Sequence, residues 1–174
     1  FTAAEGENNL LVRQTDAAGN TSDATPFSFT LDTVSPDALA IWLASDTGLY
    51  LADNITSDGS LAVSGAEVDA SGEYSTDGGD NWSSTFSAAE GLNSVGVRQT
   101  DVAGNVSGVA TLSFTLDSQA PTAPGVWLTS DTGSSATDKI TRVGDLTVSP
   151  EDSSASVEYS TDGGANWVTS FTAA

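Results

Sequence analysis

The 174-residue chain carries 24 acidic and 4 basic side chains, a formal net charge of −20, and neither His nor Cys. This charge argues against binding nucleic acid, whose phosphates require Lys and Arg, and against binding an anionic membrane surface. The lack of Cys and His excludes disulfides and the usual zinc or copper centres. No apolar run approaches the ~18 residues of a membrane span, and no signal-peptide pattern is found.

An internal repeat of 85 residues runs along the whole chain without a gap. "RQTDAAGN" at Arg13–Asn20 returns as "RQTDVAGN" at Arg98–Asn105, an offset of 98 − 13 = 85. The same offset relates Trp42 to Trp127. "FTAA" both opens and closes the chain, so its ends fall in the middle of a repeat. We therefore expect the chain to be part of a longer protein.

Two proline-containing stretches mark the boundaries between repeats. They are "FTLDTVSPDA" (Phe29–Ala38) and "FTLDSQAPTAP" (Phe114–Pro124), where an alternating run ends in Asp before small residues and Pro. Because Pro cannot donate to a sheet ladder and restricts its neighbour, it suits a junction between strands. We expect the C-terminal part of one repeat at 1–35, a complete repeat at 36–120, and the N-terminal part of a third at 121–174.

The complete repeat has the alternation of apolar and polar residues that is typical of half-buried strands, and no 3.6-residue period. A tight hairpin is predicted at "EYSTDGGDNW", because Asp-Gly-Gly supplies positive φ values. The predicted strands lie in Ala38–Leu43, Asn54–Thr56, Leu61–Val63, Glu73–Trp82, Val95–Val97 and Leu112–Leu116. About seven short strands in such a unit predict an all-β fold of tandem immunoglobulin-like β-sandwich repeats. We expect the four Trp, at 42, 82, 127 and 167, in the core.

The turn "STDGGDNW" (Ser75–Trp82) resembles the Asp-box, a hairpin whose Asp accepts hydrogen bonds from its own turn. Asp-boxes are known from sialidases, but a sialidase needs a cluster of Arg for its substrate's carboxylate. This chain has three Arg in total, and Arg13 and Arg98 are copies of one position. We therefore expect Asp77 and Asp162 to hold turns, with metal binding as the alternative.

Other loop aspartates recur in pairs at the repeat offset, which suggests a shared physical role. Hard cations take six to eight oxygens from carboxylates, carbonyls and water, and clustered Asp repel one another unless a cation lies between them. The pairs are Asp16 with Asp101, Asp32 with Asp117, Asp46 with Asp131, and Asp53 with Asp138. Calcium ligands and ordinary turn carboxylates both fit this pattern. Strand parity predicts that Asp32 and Asp101 converge, and that Asp46, Asp53 and Asp117 lie at one pole.

The motifs "LDTVSP", "SDTG", "EYSTDGGDNW", "VRQTDVAGN" and "LSFTLD" occur in an order and spacing that resembles the bacterial immunoglobulin-like (BIg) extender repeats of giant RTX adhesins. The resemblance covers the whole chain, although the nonapeptide RTX signature is not present. It implies type I secretion, an extracellular location on the bacterial cell surface, a role in cell adhesion and biofilm, and Ca²⁺ at domain junctions. By the same resemblance, the candidate ligands are Asp16, Asp32, Asp46, Asp53, Asp101, Asp117, Asp131 and Asp138.

The sequence thus predicts a calcium-stiffened extender, or spacer, that projects a ligand-binding tip from the cell. The alternative is a module that binds carbohydrate or protein through its loops. No enzyme is expected, since nucleophile–base pairs and His are missing and a carboxylate pair would be repeated with the whole unit. The expected partners are neighbouring repeats of the same chain. Residues 1–35 are also expected to complete, head to tail, the sandwich begun by residues 121–174 of another copy, with Phe27, Phe29 and Leu31 against Val157, Tyr159 and Trp167.

Overall fold

The computed structural model describes residues 1–150, 152 and 155–172, and its secondary structure there is entirely β. This confirms the all-β prediction. The chain divides into two compact units, Phe1–Ser118 and Gln119–Ala174. The closing "FTAA" extends to Ala173 and Ala174, which lie outside the described residues. Within the described part, no helix offers the length and apolarity that crossing a membrane requires.

The first unit begins with a hairpin of two antiparallel strands, β1 (Gly6–Val12) and β2 (Thr25–Leu31). Gly6 lies opposite Leu31 and Val12 opposite Thr25. These strands lie within residues 1–35, where the C-terminal part of a repeat is predicted. The stretch that follows, 32–39, has no strand, as expected of a boundary that contains Pro.

The rest of the first unit contains six strands in two sheets. In the smaller sheet, β3 (Ala40–Leu43) pairs antiparallel with β5 (Leu61–Ser64). The larger sheet has the order β4-β8-β7-β6, formed by β4 (Ile55–Thr56), β8 (Ala110–Leu116), β7 (Gly91–Thr100) and β6 (Ser71–Ser75). β4 runs parallel to β8, and the other neighbours are antiparallel. The short strand predicted near "NIT" is therefore confirmed, as is the hairpin after β6, where Tyr74 bridges to Ser83.

The core of this unit lies between the two sheets. Its centre is formed by Leu43 of β3, Val95 of β7 and Phe114 of β8, of which Val95 is 0% exposed. Tyr74 and Phe86 continue the packing, with ring centroids 6.1 Å apart, and Phe86 meets Phe114 at 6.4 Å. Because strand side chains alternate between faces, the apolar residues of each sheet reach one side. This arrangement is consistent with a β-sandwich.

The Trp side chains do not lie in the core, so that prediction is wrong. Trp42 is 47% exposed, while its neighbours in β3, Ile41 and Leu43, pack against the core. Trp82 is half-buried on the outer face, where Arg98 lies 4.0 Å from its ring centroid. Side chains alternate between the two faces of a strand, so a difference of one residue places Trp42 on the face opposite to Ile41 and Leu43. The two remaining Trp, Trp127 and Trp167, are 52% and 59% exposed.

The second unit contains β9 (Gly125–Leu128) and β10 (Leu146–Ser149), which pair antiparallel. Farther along, Tyr159 bridges to Val168, as Tyr74 bridges to Ser83 in the first unit. β9 and β10 begin 85 residues after β3 and β5, and β7 begins 85 residues after β1. These strands and the bridged turn therefore recur at the repeat offset, whereas the equivalents of β4 and β6, at 140–141 and 156–160, form no strand.

Candidate metal site

The two "TDxAGN" loops each close around their own aspartate. Asp16 Oδ1 accepts the backbone N–H groups of Ala18 at 2.9 Å and Asn20 at 2.8 Å. The Asn20 side-chain amide donates to Asp16 Oδ2 at 2.8 Å, and Gly19 takes a positive φ of 92°. Hydrogen bonds from the Asn20 side chain and backbone lower the pKa of the Asp16 carboxyl, because they favour its charged form. This carboxylate holds a turn.

Asp101 repeats this geometry in the complete repeat. Its Oδ1 accepts the backbone N–H of Asn105 at 2.8 Å, and its Oδ2 accepts the Asn105 side-chain amide at 2.8 Å. The bond from the Asn105 side chain also lowers the pKa of Asp101. The same amide donates to the backbone carbonyl of Asp32 at 3.1 Å. Asn105 thus joins the Asp101 loop to the backbone of the boundary stretch, while the Asp32 carboxylate accepts the N–H of Val34 at 3.1 Å.

The Asp-box turns follow the expected hydrogen-bond pattern. Asp77 Oδ1 accepts from the Asn81 backbone N–H at 3.0 Å and from the Ser75 hydroxyl at 2.8 Å. These bonds hold the pKa of Asp77 well below its usual value. Asp162 makes the same contacts, with Asn166 as its main partner, and its pKa is lowered to about 2. The role of both carboxylates in these turns is therefore structural.

Asp46 and Asp53 share one loop at the start of β4. Asp46 Oδ2 accepts the backbone N–H of Asn54 at 3.1 Å, and Asn54 has the left-handed φ of 59°. Asp53 Oδ1 accepts the N–H of Ile55 at 3.0 Å. In the second unit, Asp131 Oδ2 accepts the N–H of Lys139 at 2.9 Å, and Asp138 Oδ1 accepts that of Ile140 at 3.0 Å. Each repeat therefore brings two aspartates to one loop.

In each of these loops one carboxylate oxygen is buried and accepts no hydrogen bond. Among the described residues, Asp46 Oδ1 and Asp131 Oδ1 are the buried side-chain oxygens that accept no hydrogen bond. A buried polar atom without a partner costs about 1–3 kcal/mol, and more when it is charged. A buried carboxylate oxygen that accepts no hydrogen bond, found at equivalent positions of two repeats, fits an oxygen that binds a cation.

Thr side chains that are not among the predicted site residues support both loops. Thr56 is 2% exposed, and its hydroxyl donates to the carbonyls of Ser45 at 2.9 Å and Asp58 at 3.1 Å. The Thr47 hydroxyl lies 3.1 Å from the Thr56 hydroxyl. Thr132 and Thr141 lie 3.0 Å apart in the second unit. The repetition of "SDTG" and "IT" could have revealed these residues, because both copies keep both Thr.

Asp117 follows β8 beside this loop. Its backbone N–H donates to the carbonyl of Thr56 at 2.9 Å, because β4 and β8 run parallel and end together. The structure thus places Asp46, Asp53 and Asp117 around the two ends of β4. No group of three or more acidic side chains in the described ranges is close enough to hold an ion by itself. A cation here would need backbone carbonyls, hydroxyls or water as well.

No protein-family model matches the chain, and no curated protein is significantly similar to it.

Proposed function

We propose that the protein is an extender of a secreted bacterial surface adhesin: tandem immunoglobulin-like sandwiches, stiffened by Ca²⁺, that hold a ligand-binding tip away from the cell. The support is the 85-residue repeat, the all-β fold and the resemblance of the repeated motifs to BIg repeats. The net charge of −20 suits such a role, because it keeps a long chain soluble and opposes lateral association.

The observation that carries the calcium proposal is the buried, unpartnered Oδ1 of Asp46 and its equivalent in Asp131. Calcium prefers carboxylate and carbonyl oxygens and accepts irregular geometry, whereas zinc and copper prefer the His and Cys that this chain lacks. Asp46 and Asp53 would hold one ion, and Asp131 and Asp138 its equivalent. The ion would neutralise the paired carboxylates and fix the loop that precedes β4.

The test is thermal unfolding with increasing CaCl₂, compared with NaCl of equal ionic strength. A ligand that binds only the folded state adds RT ln(1 + [L]/Kd), about 2.7 kcal/mol at a hundredfold excess over Kd. We expect Asp46→Asn to remove the calcium-specific increase in the unfolding temperature of the first unit. Asp131→Asn should do the same for the second unit. Asp80→Asn is the matched control, since Asp80 is exposed and its equivalent is Ala165. Equal increases of the unfolding temperature in CaCl₂ and in NaCl would contradict the metal proposal.

The alternative, a loop that binds carbohydrate or protein, is favoured by an exposed apolar run. Leu49, Tyr50 and Leu51 are 68%, 72% and 74% exposed in the loop between Asp46 and Asp53. The equivalent residues of the second unit are Ser134, Ser135 and Ala136. We therefore expect any ligand to bind the first unit. Calorimetry with a panel of oligosaccharides measures this binding, and replacement of Leu49–Leu51 by Ser-Ser-Ala should abolish it. If the replacement leaves the affinity unchanged, this loop is not the binding site.

A further inference from the structure

The boundary stretch between the first two repeats is held by side chains of the repeat that follows it. Residues 32–39 form no strand, yet Pro36 is buried and Leu39 is 5% exposed. A partly buried segment without strand pairing must satisfy its backbone groups in some other way. Here the side-chain amides of Gln99 and Asn105 donate to its carbonyls.

Gln99 of β7 is the centre of this contact. Its side chain is 1% exposed, and its Nε2 donates to the carbonyl of Asp37 at 2.8 Å and to that of Gly65 at 3.2 Å. Its Oε1 accepts the backbone N–H of Glu67 at 2.9 Å. The buried amide thus makes three hydrogen bonds, and leaving any of them unmade would be costly. It fastens the boundary stretch to β7 and to the loop that precedes β6.

Asn105 holds the beginning of the same stretch. Its Nδ2 donates to the carbonyl of Asp32 at 3.1 Å and to Asp101 Oδ2 at 2.8 Å. A side-chain amide nitrogen has two N–H groups, so one bonds the boundary while the other is held by Asp101. Asp101 Oδ1 also accepts the backbone N–H of Asn105 at 2.8 Å. Asp101 therefore orients the Asn105 amide toward the boundary stretch.

The preceding repeat holds the boundary from the other side. Glu5 accepts the backbone N–H of Thr33 at 3.0 Å and the Thr33 hydroxyl at 2.8 Å. At the next boundary, Glu90 accepts the same two groups of Ser118, at 3.1 Å and 2.9 Å. Two donors from one residue on one carboxylate fix both the position and the direction of the chain. Residues 32–37 are thus bonded to the repeats on both sides.

The side chains that make these bonds recur at the repeat offset, whereas the boundary that they hold varies. "RQTD", "AGN" and the Ser two positions later occur in both copies, and Glu5 recurs as Glu90. After the shared "FTLD", the boundary reads Thr-Val-Ser in one copy and Ser-Gln-Ala in the other, and Asp37 is replaced by Thr122. Both amides donate to backbone carbonyls, which every residue supplies. The boundary side chains can therefore change without loss of the contact.

We propose that residues 32–37 form a fixed joint between consecutive repeats, closed by Glu5 of the preceding repeat and by Gln99 and Asn105 of the following one. The recurring "TDxAGN" loop is then part of the surface that receives the boundary stretch. Protein groups alone make these bonds, so the joint sets the orientation of the two repeats whether or not calcium binds beside β4. The proposal rests on the tandem repeat and is independent of the calcium and adhesin parts of the proposed function.

Distances between spin labels test the joint in the full chain. Ser28 and Ser113 are exposed and lie at equivalent positions of the two repeats. The chain has no Cys, so Ser28→Cys and Ser113→Cys provide two specific labelling sites. We expect double electron–electron resonance to give one narrow distance distribution, unchanged between EDTA and CaCl₂. A broad distribution in EDTA, or one that becomes narrow only with calcium, would overturn the proposal.

Two single variants of the labelled chain open the joint from opposite sides. Asn105→Ala removes the donor to the Asp32 carbonyl, and Glu5→Ala removes the acceptor of Thr33. We expect each to raise the population of bent joints about fivefold, the effect of losing one hydrogen bond, and so to broaden the distance distribution. Because the two changes lie in different repeats, a folding defect in one variant leaves the other as a test.

The equivalent residues provide the matched controls. Asn20→Ala removes the same turn bond, from Asp16, and Glu90→Ala removes the same pair of bonds, from Ser118. Neither side chain bonds residues 32–37, so both controls should keep the narrow distribution of the wild type. If Asn105→Ala and Glu5→Ala give the same distribution as these controls, the bonds do not fix the joint and the proposal is wrong.

Discussion

At the scale of single residues, aspartates of similar sequence context perform different tasks. Both carboxylate oxygens of Asp16 accept hydrogen bonds from their own turn, and Asp77 is held in the same way. Asp46 differs, since one of its oxygens accepts a bond and the other is buried without a partner. The number of donors that a turn supplies therefore separates a structural Asp from a candidate ligand.

The Asp77 turn gives a prediction about acid stability. A carboxyl whose pKa is lower in the folded than in the unfolded state contributes stability above its unfolded value, here 3.8, and loses it as the pH falls through the folded pKa. We expect Asp77→Asn to lower the urea midpoint of the first unit at pH 7. As the pH is lowered below 3.8, the urea midpoint of the Asp77→Asn variant should fall less than that of the wild type. Asp80→Asn, which leaves the hydrogen bonds of the turn in place, should follow the wild type. Parallel curves for all three proteins would contradict this role for Asp77.

At the scale of elements, the same strand pair is found in two environments. β7 and β8 lie inside a four-stranded sheet against β3, whereas β1 and β2 form a two-stranded sheet. The two pairs lie at equivalent places in the repeat, and both form the same antiparallel register, with Gly6 opposite Leu31 and Gly91 opposite Leu116. Local sequence therefore sets the hairpin, and its neighbours set how much the hairpin contributes to stability.

Phe114 and Phe29 test this difference at equivalent positions. We expect Phe114→Ala to destabilise the first unit by about 3–5 kcal/mol, because it opens a cavity in the core. Phe29→Ala should cost less than about 1 kcal/mol, because Phe29 is only half-buried, against Phe1 and Phe27. Urea unfolding measures both. Leu92→Ala is the control, since Leu92 is 80% exposed on the outer face of β7. Equal losses at Phe29 and Phe114 would show that the hairpin has a core of its own.

At the scale of the whole molecule, charge is the dominant feature. A chain of net charge −20 repels itself, and bound calcium would reduce that repulsion most where aspartates are paired. The boundary stretch from Asp117 to Pro124 contains two Pro, which restrict its bending without preventing it. A cation held beside Asp117 would therefore act on a segment that is already partly stiff.

Small-angle scattering of the dilute chain tests this stiffening. We expect a longer maximum dimension in calcium than in EDTA, because an ion bound at the boundary would limit bending there. Asp117→Ala should abolish that lengthening, whereas Asp80→Ala should leave it intact. Scattering curves that superimpose with and without calcium would remove the stiffening role, even if the ion raises thermal stability.

The sequence by itself determined the features that depend on nearby residues. Alternation over a few positions predicts β7 and β8, Asp-Gly-Gly predicts the hairpin after β6, and Pro predicts the strand-free boundaries; all are present. The hydrogen bonds of Asp77 could also be predicted, because donor and acceptor lie within four residues of each other. Such features form wherever their short motif recurs, in a complete repeat or a partial one.

Only the tertiary structure decided which side chains are buried and which polar atoms find partners. Trp42 belongs to a predicted strand, yet it faces outward, because the facing sheet covers Ile41 and Leu43 instead. Val12 and Val97 occupy the same place in the repeat, but only Val97 has β6 beside it. The open oxygen of Asp46 depends in the same way on the loop that folds over it. Burial is set by residues far apart in the chain, which no short motif contains.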